Sequence, residues 1–479
     1  MPAAGNPRSG RPAGRWWPPF LVVLMVAAAY FNALQAGFQF DDWDVIVRDP
    51  RVQDLRSWWA SMPGMRPLLK LSYALNHVSG AGVVGFHAVN VVVHAANGML
   101  IMALMRRFAR ETGRSPEVAD WLGLATALVF VLHPVQTEAV TYASGRSTSL
   151  SALFALTSVL LWVQWRSSPE TRRWRPALSL VSMVAAVATK ETMVVVPAVL
   201  LLWEVADTRR PFAWREALRR TGLHWLLLAA LLAALLALPR YREFLDTSLA
   251  TRSIPANLFA QLEALRYLVG QLFDIDGMNA DPGLLVSSAV GPVDILTLLA
   301  LIVAAGLSLA NLRRAPLPAF AVLWFLLWLA PTNSLLARLD LVNDRQLYVA
   351  LAGPALLLAA AIQRLAVRDK ALGAVAFITV LALTGLATHL RNEVYRDEVG
   401  FWRDVVSRSP HNARAYNNLG MALAARCDLR RAEAAWVRAL TLDPDYMRAG
   451  VNLRLLQEGV LPAGAGPCPR PPAHDKITE

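Results

Sequence analysis

The chain has 479 residues, of which 55% are hydrophobic and only 17% charged, with a formal net charge of +12. Its charges gather in short clusters between long apolar runs, which excludes an ordinary soluble domain and predicts a polytopic membrane protein. Basic clusters stand on every second connection between apolar runs, so the positive excess reads as cytoplasmic anchoring and not as a nucleic-acid surface. They are Arg8/Arg11/Arg15, Arg106/Arg107/Arg110/Arg114, Arg166/Arg172/Arg173/Arg175, Arg209/Arg210/Arg215/Arg219/Arg220, Arg313/Arg314 and Arg364/Arg368/Lys370.

Between these anchors the apolar runs predict about eleven spans, at 18–37, 84–105, 119–133, 148–165, 176–189, 192–205, 222–238, 292–310, 316–332, 346–363 and 371–389. The alternation puts a short tail, 1–17, in the cytoplasm and the C-terminus outside, in an all-α transmembrane bundle over 18–390. The first span has no small-x-small cleavage site before the acidic residues that follow, so it is read as retained. Leu258 to Phe273 is amphipathic, with Glu263 and Arg266 in it, and is placed as a re-entrant or surface helix.

Just past the first span comes Asp41-Asp42-Trp43-Asp44, adjacent carboxylates on the side away from the basic loops. Ionisable groups in that position mark chemistry or ion handling. The loop they open, 38–83, carries Trp58-Trp59 and the helical pattern from Arg66 to Asn76, which suit helices lying in the outer interface. Four more polar groups fall on the same side. They are His133-Pro-Val-Gln-Thr-Glu138 followed by Arg146, then Lys190-Glu191, Asp274 to Asp281, and Asn343-Asp344-Arg345 followed by Tyr348. Only four of the 47 basic residues are lysines, so Lys190 at a membrane boundary points to a compact cation with a task.

After the last span the character changes. Asn412 to Leu423 and Asp428 to Pro444 follow the helix-turn-helix pattern of a tetratricopeptide unit, and Pro410 and Pro444 stand 34 residues apart, the period of that repeat. One such unit over 391–458 is below the usual minimum for stability, so it is expected to lean on the membrane body or on a partner. The tail, 459–479, is rich in proline and glycine and reads as disordered. Cys427 and Cys468 make neither a framework nor a metal cluster; a disulfide between them and two free thiols are both open.

Taken in order, these motifs resemble the TMTC group of O-mannosyltransferases within the GT-C glycosyltransferases, in a bacterial-type form: a DD pair, an interfacial R-P-L helix, H-P-x-x-T-E then G-R, K-E, N-D-R-x-x-Y and the repeat unit. The resemblance runs from Asn32 to about Asp445. The chain departs from the group in carrying one repeat where many are usual, and in reading Asn343-Asp344-Arg345 where A-E-R is usual.

The resemblance implies a polyprenyl-phosphate sugar donor, inverting transfer on the outer face, no cofactor and no nucleotide in the site. It also implies a multi-pass protein of the inner (plasma) membrane whose repeat unit recruits an extracytoplasmic protein acceptor. Such a transfer needs a carboxylate to take the acceptor proton and cations to stabilise the leaving phosphate. Asp41 and Asp42 are the candidates for the first, and Arg146, Lys190 and Arg345 for the second. The residues themselves leave open which of the two is the base; family position implies Asp41 as first choice, with Asp42 orienting substrate or Arg66. Arg66, His133, Glu138, Glu191 and Tyr348 are supporting residues, with Glu138 expected to hold Arg146 and Glu191 to hold Lys190. No metal is expected, since one phosphate can be neutralised by these cations. The competing reading is a non-catalytic membrane scaffold for envelope proteins with the repeat as its working part; transfer to a lipid or glycan is a further alternative.

Overall fold

The computed structural model describes residues 16–460 except 168–169, 171, 285–289 and 334. The basic cluster at Arg8, Arg11 and Arg15, Cys468 and the proline-rich tail beyond Val460 lie outside the described residues. The described residues form helices and connecting turns with no strand among them. This is the all-α polytopic bundle that composition predicts.

Among the described residues six helices are long and apolar enough to cross a membrane: Trp17–Gln35, Gly82–Glu111, Ala143–Ser167, Trp214–Ala237, Pro292–Asn311 and Lys370–Glu393. Two bent pairs raise the number to as many as eight. The remaining expected spans fall on helices Arg175–Thr189, Val196–Ala206 and Pro316–Leu329, of 15, 11 and 14 residues, shorter than the roughly 20 that a full crossing needs. The amphipathic helix Ile254–Gln271 is not among the candidate spans.

The two bends place the polar loops. Pro116–Leu132 turns by 60° into Pro134–Val140, because Pro134 cannot donate to the helix before it. Asp344–Ala350 turns by 58° into Ala352–Arg368. Carbonyls freed at such breaks must find donors inside the bundle. Gln136 serves both, its Nε2 donating to Phe130 O at 3.2 Å and to Tyr348 O at 3.2 Å. The segments His133–Arg146 and Asn343–Tyr348 are thereby sewn together at one end of the bundle. The first helix reaches the same end, where the Asn392 amide donates to Ala29 O and to Asn32 Oδ1, and Thr141 donates to Asn392 Oδ1 at 2.6 Å.

Elsewhere Arg166, expected as a solvent-facing anchor, is only 4% exposed and pairs with Glu111 (2.6 Å), Asp207 (2.9 Å) and Glu204 (3.3 Å). A buried cation needs such a set of carboxylates, and the ends of two helices, Gly82–Glu111 and Val196–Ala206, supply it.

The C-terminal helices Glu398–Arg408, Ala413–Ala425, Leu429–Leu442 and Met447–Gln457 pack on one another. Ala413–Ala425 and Leu429–Leu442 close around Gly420, where a Cβ would collide with the Trp436 indole. Their apolar core continues into Ala36, Tyr142 and Tyr395 of the membrane body, and Phe40 meets Trp402 edge to face at 5.2 Å.

Candidate functional site

The loop after the first helix is held open-ended at Phe40, whose φ of 39° is in the left-handed region that a bulky side chain rarely adopts. Trp402 packing against its ring holds it there. Strain of this kind persists only where surroundings over-determine it, and here it turns two adjacent aspartates in different directions. Asp42 is fully buried; its Oδ1 accepts the Ser144 N–H at 2.7 Å and its Oδ2 the Gln39 N–H at 3.0 Å. Burial pushes its carboxyl up to about 7 against the pull of those two N–H bonds.

Asp41 lines a narrow cleft of about 30 Å³ whose walls include Glu138, Tyr142, Asp281, Asp340, Arg345 and Arg414. Its backbone N–H donates to the Tyr142 hydroxyl at 2.9 Å, and its carboxylate has no salt bridge among the described residues. Burial raises its pKa, and the Arg345 charge opposes that rise. Asp44 turns away and pairs with Arg48 at 3.5 Å on the surface. The acidic tetrad therefore does not gather into one cluster, and no three His, Cys, Asp or Glu among the described residues sit as a metal-binding group.

Arg345 lines the cleft, with its guanidinium over the Tyr142 ring at 5.8 Å. Glu138 holds it twice, accepting the Arg345 backbone N–H at 2.9 Å and pairing with Nε at 3.4 Å. Glu191 accepts from Arg66 at 3.0 Å and from the Tyr241 hydroxyl at 2.8 Å. Both carboxylates thus hold a different cation from the one that sequence proximity suggested, because the bends bring Arg345 to Glu138 and the outer loop brings Arg66 to Glu191. Arg66 is itself left-handed, at φ 51°, immediately before Pro67 at the start of the helix Pro67–Ser79.

Lys190 is half-buried and donates to Thr148 Oγ1 at 2.6 Å. Burial first, then the charges of Arg345, Arg338 and Arg66, push its ammonium well below the ordinary lysine range. Arg338, which the motifs did not single out, is drawn down to about 10 by burial and by Arg345. Its guanidinium has no hydrogen-bond or ion-pair partner among the described residues, and its carbonyl accepts from Arg252 at 2.8 Å. Four cations, Arg66, Lys190, Arg338 and Arg345, therefore repel one another, Arg345 being the one of the four that lines the cleft with Asp41, and Lys190 and Arg338 have no salt bridge among the described residues. Like charges held this close are stabilised by an anion.

Arg146 is placed elsewhere. It is fully buried, its Nε donating to Asn90 Oδ1 at 2.8 Å and its Nη atoms to Ser72 O at 3.0 Å and Phe86 O at 2.9 Å, between the rings of Tyr73 and Phe86. With its donors committed it fastens the interfacial helix to the bundle. His133 likewise serves the bend, Nδ1 accepting the Val135 N–H at 3.3 Å and Nε2 lying 3.3 Å from Leu272 O. Tyr348 is buried, its hydroxyl between His94 Nδ1 at 2.8 Å and Asn97 Nδ2 at 3.0 Å.

The cleft is closed by Arg414 and Asp340, which the motifs did not reveal, together with the Asp274 to Asp281 segment, which they did. Arg414, from the C-terminal helices, bridges Asp281 at 2.8 Å and Asp340 at 2.7 Å. The turn at Asn279 is fixed between Asp344 Oδ2 (3.1 Å) and Ser409 Oγ (2.8 Å). A cluster of arginines in 412–454 was the available signal for Arg414, but its partners stand 133 and 74 residues away in the chain.

Among known proteins, the chain is 26% identical to protein O-mannosyl-transferase TMTC3 of Mus musculus over 90% of its own length and 52% of the relative's. It is 22% identical to protein O-mannosyl-transferase F38B6.6 of Caenorhabditis elegans over 89% of this chain and 63% of that one. Against human protein O-mannosyl-transferase TMTC4 the identity is 33%, over 30% of this chain and 23% of the relative. The chain thus spans about half the length of the TMTC3 relatives it matches. No family model matches the chain, and no solved structure matches it. The similarity is to the eukaryotic TMTC O-mannosyltransferases and not specifically to a bacterial type, and it supports a glycosyltransferase-like role.

Proposed function

We propose that the chain transfers a sugar, mannose by analogy with the names of its relatives, from a polyprenyl-phosphate donor to a hydroxyl of an extracytoplasmic protein. The observation that carries this reading is Asp41, a carboxylate without a salt bridge among the described residues, set in a cleft with Arg345, which itself lies in the mutual field of Arg66, Lys190 and Arg338. In the step, the acceptor oxygen bonds to the sugar C1 as the C1–O bond to phosphate breaks. The hydroxyl proton passes to Asp41, and the electron pair leaves on the polyprenyl phosphate. Attack from the face opposite the leaving group inverts C1. Arg345, Lys190, Arg338 and Arg66 stabilise the phosphate as its charge grows, and Asp42 positions Asp41 through Gln39 and Ser144.

Within this reading the chain resides in the inner (plasma) membrane with its N-terminus cytoplasmic. The helices over 391–458 act as an extracytoplasmic tetratricopeptide unit. One phosphate facing several cations needs no divalent ion. The test is transfer by the purified chain in lipid nanodiscs from polyprenyl-phosphate mannose to a Ser/Thr peptide. Sugar on the peptide with release of polyprenyl phosphate is the expected result. The absence of both transfer and loss of the donor sugar to water would overturn the reading.

A further inference from the structure

At the same end of the bundle a second cavity, of about 460 Å³, opens between the interfacial loop and the helix Pro239–Thr251. It shares no lining residue with the cleft that holds Asp41. Its charged walls are Arg51, Arg66, Lys70 and Arg240 against one acid, Asp49. Asp49 is already committed, accepting from Arg51 Nε at 2.7 Å and Nη2 at 2.9 Å, and Arg66 is held by Glu191. The side chains of Lys70 and Arg240 have no hydrogen bond or ion pair among the described residues. Burial first, then the charge of Arg51, with Arg240 and Arg66 behind it, holds the Lys70 ammonium below the ordinary lysine range against the pull of Asp49. Two unneutralised cations on one cavity call for an anion, and the volume is that of a small-ligand site.

The depth and the rim of the cavity narrow what carries the anion. The candidate span Trp214–Ala237 ends just before Pro239, so Arg240 stands at the level where bilayer hydrocarbon gives way to headgroups. Phe244 lies one turn from Arg240 on the same face of the helix, and its ring is 51% exposed. Val45, Met65 and Leu69 extend the apolar wall. Cations beside apolar surface at this depth match a phosphodiester with acyl chains below it; a free phosphate would gain nothing from Phe244. The helix Pro239–Thr251 also has little hold on the bundle. Ser248 is its one buried residue, and its ties are the Tyr241 hydroxyl to Glu191 at 2.8 Å and Ser248 Oγ to Ala337 O at 2.7 Å. An anion shared by Lys70 and Arg240 would join this helix to the interfacial helix Pro67–Ser79.

We propose that this cavity binds the headgroup of an anionic phospholipid, with its phosphate between Lys70 and Arg240 and its acyl chains running past Phe244. The lipid fastens the helix Pro239–Thr251 to the interfacial helix and so steadies Arg66 and its partner Glu191. A zwitterionic headgroup, whose amine cancels the phosphate, binds weakly. The binding does not rest on the transferase reading.

The experiment uses the full chain in phosphatidylcholine nanodiscs doped with phosphatidylglycerol that carries a diazirine in its acyl chain, close to the glycerol. Cross-links are expected at Met65 and Phe244, and hydrogen exchange over 239–251 is expected to slow as the phosphatidylglycerol fraction rises. Lys70→Gln and Arg240→Gln should each raise the half-saturating fraction about fivefold, the worth of one basic side chain at an anionic interface. Arg368→Gln, at the far end of the helix Ala352–Arg368, should leave it unchanged. Arg240 is exposed, so its variant keeps the test decisive if Lys70→Gln disturbs the interfacial helix. Cross-links scattered over the bundle, or unchanged saturation in both variants, would overturn the proposal. So would displacement of the probe by inorganic phosphate, which would make this a free-anion site. Displacement by polyprenyl phosphate but not by unlabelled phosphatidylglycerol would equally overturn it, by making the cavity part of the donor site. Saturable labelling at Met65 and Phe244 in a chain that transfers no sugar would uphold the lipid site while the transferase reading fails on its own assay.

Discussion

Asp41→Asn and Asp42→Asn differ by one position and by one oxygen each, yet the two carboxylates are held so differently that their replacements should separate catalysis from stability. Asp41 carries no salt bridge and faces the cleft, so the amide fits in its place with little effect on the fold. What it removes is the proton acceptor, worth typically 10²–10⁴-fold in rate, or about 3–5 kcal/mol on the barrier. Asp42 accepts two buried backbone N–H bonds at 2.7 and 3.0 Å, and an asparagine has an oxygen for only one of them. The other N–H would face an amide NH₂, a lost bond plus an unsatisfied donor, at a cost of about 1–3 kcal/mol. Burial already raises the Asp42 carboxyl to about 7, so at neutral pH the loss comes from this reversed bond more than from charge. The assay pairs turnover of polyprenyl-phosphate mannose in nanodiscs with thermal inactivation of the same samples. Asp41→Asn should keep the parent's thermal profile and lose at least a hundredfold in kcat. Asp42→Asn should lose thermal stability as well. Parental turnover in Asp41→Asn, or a thermally unchanged Asp42→Asn that alone is inactive, would refute the assignment of Asp41 as base.

Further outcomes follow from the same geometry. Asp41 must be ionised to accept a proton, and burial raises its pKa, so the acid limb of kcat/KM should lie above the ordinary carboxylate value of about 4. Lys190 must be protonated to bind phosphate, and its pKa is lowered, so the alkaline limb should lie below the ordinary lysine value of about 10.4; limbs at the ordinary values would count against both roles. Arg338→Ala should raise the donor KM and slow turnover by about 10²-fold or more, as for loss of one oxyanion donor, without lowering expression. Arg146→Ala should instead lower expression and thermal stability by more than about 3 kcal/mol, because it unpairs Asn90 Oδ1 and the carbonyls of Ser72 and Phe86; a stable, donor-blind Arg146→Ala would return that residue to the phosphate site. Activity is expected to survive exhaustive chelation, and restoration of lost activity by manganese or magnesium would make the acidic loop part of a metal site.

Composition and the spacing of charged clusters are local properties, and they determined the all-α membrane class and the order of the polar motifs. They also marked Asp41 and Arg345, because a charged group next to an apolar run is conspicuous wherever the chain goes afterwards. Pro134 announced the break after Leu132, since its missing N–H acts on the helix it ends. Pairing was another matter. Glu138 lies eight residues from Arg146 and beside it in the motif, yet it holds Arg345, 207 residues on, because the two bent helices meet through Gln136. Arg146 looked like a ligand for phosphate, and only the arrangement of Asn90, Ser72 and Phe86 around it made it an internal fastening. Arg338 sits in no motif; its interest comes entirely from which charges surround it and which do not. A cation's role depends on what shares its dielectric surroundings within a few ångströms, and in a bundle those neighbours come from distant turns of the chain, so tertiary structure alone decides which charges are paired within the chain and which are not.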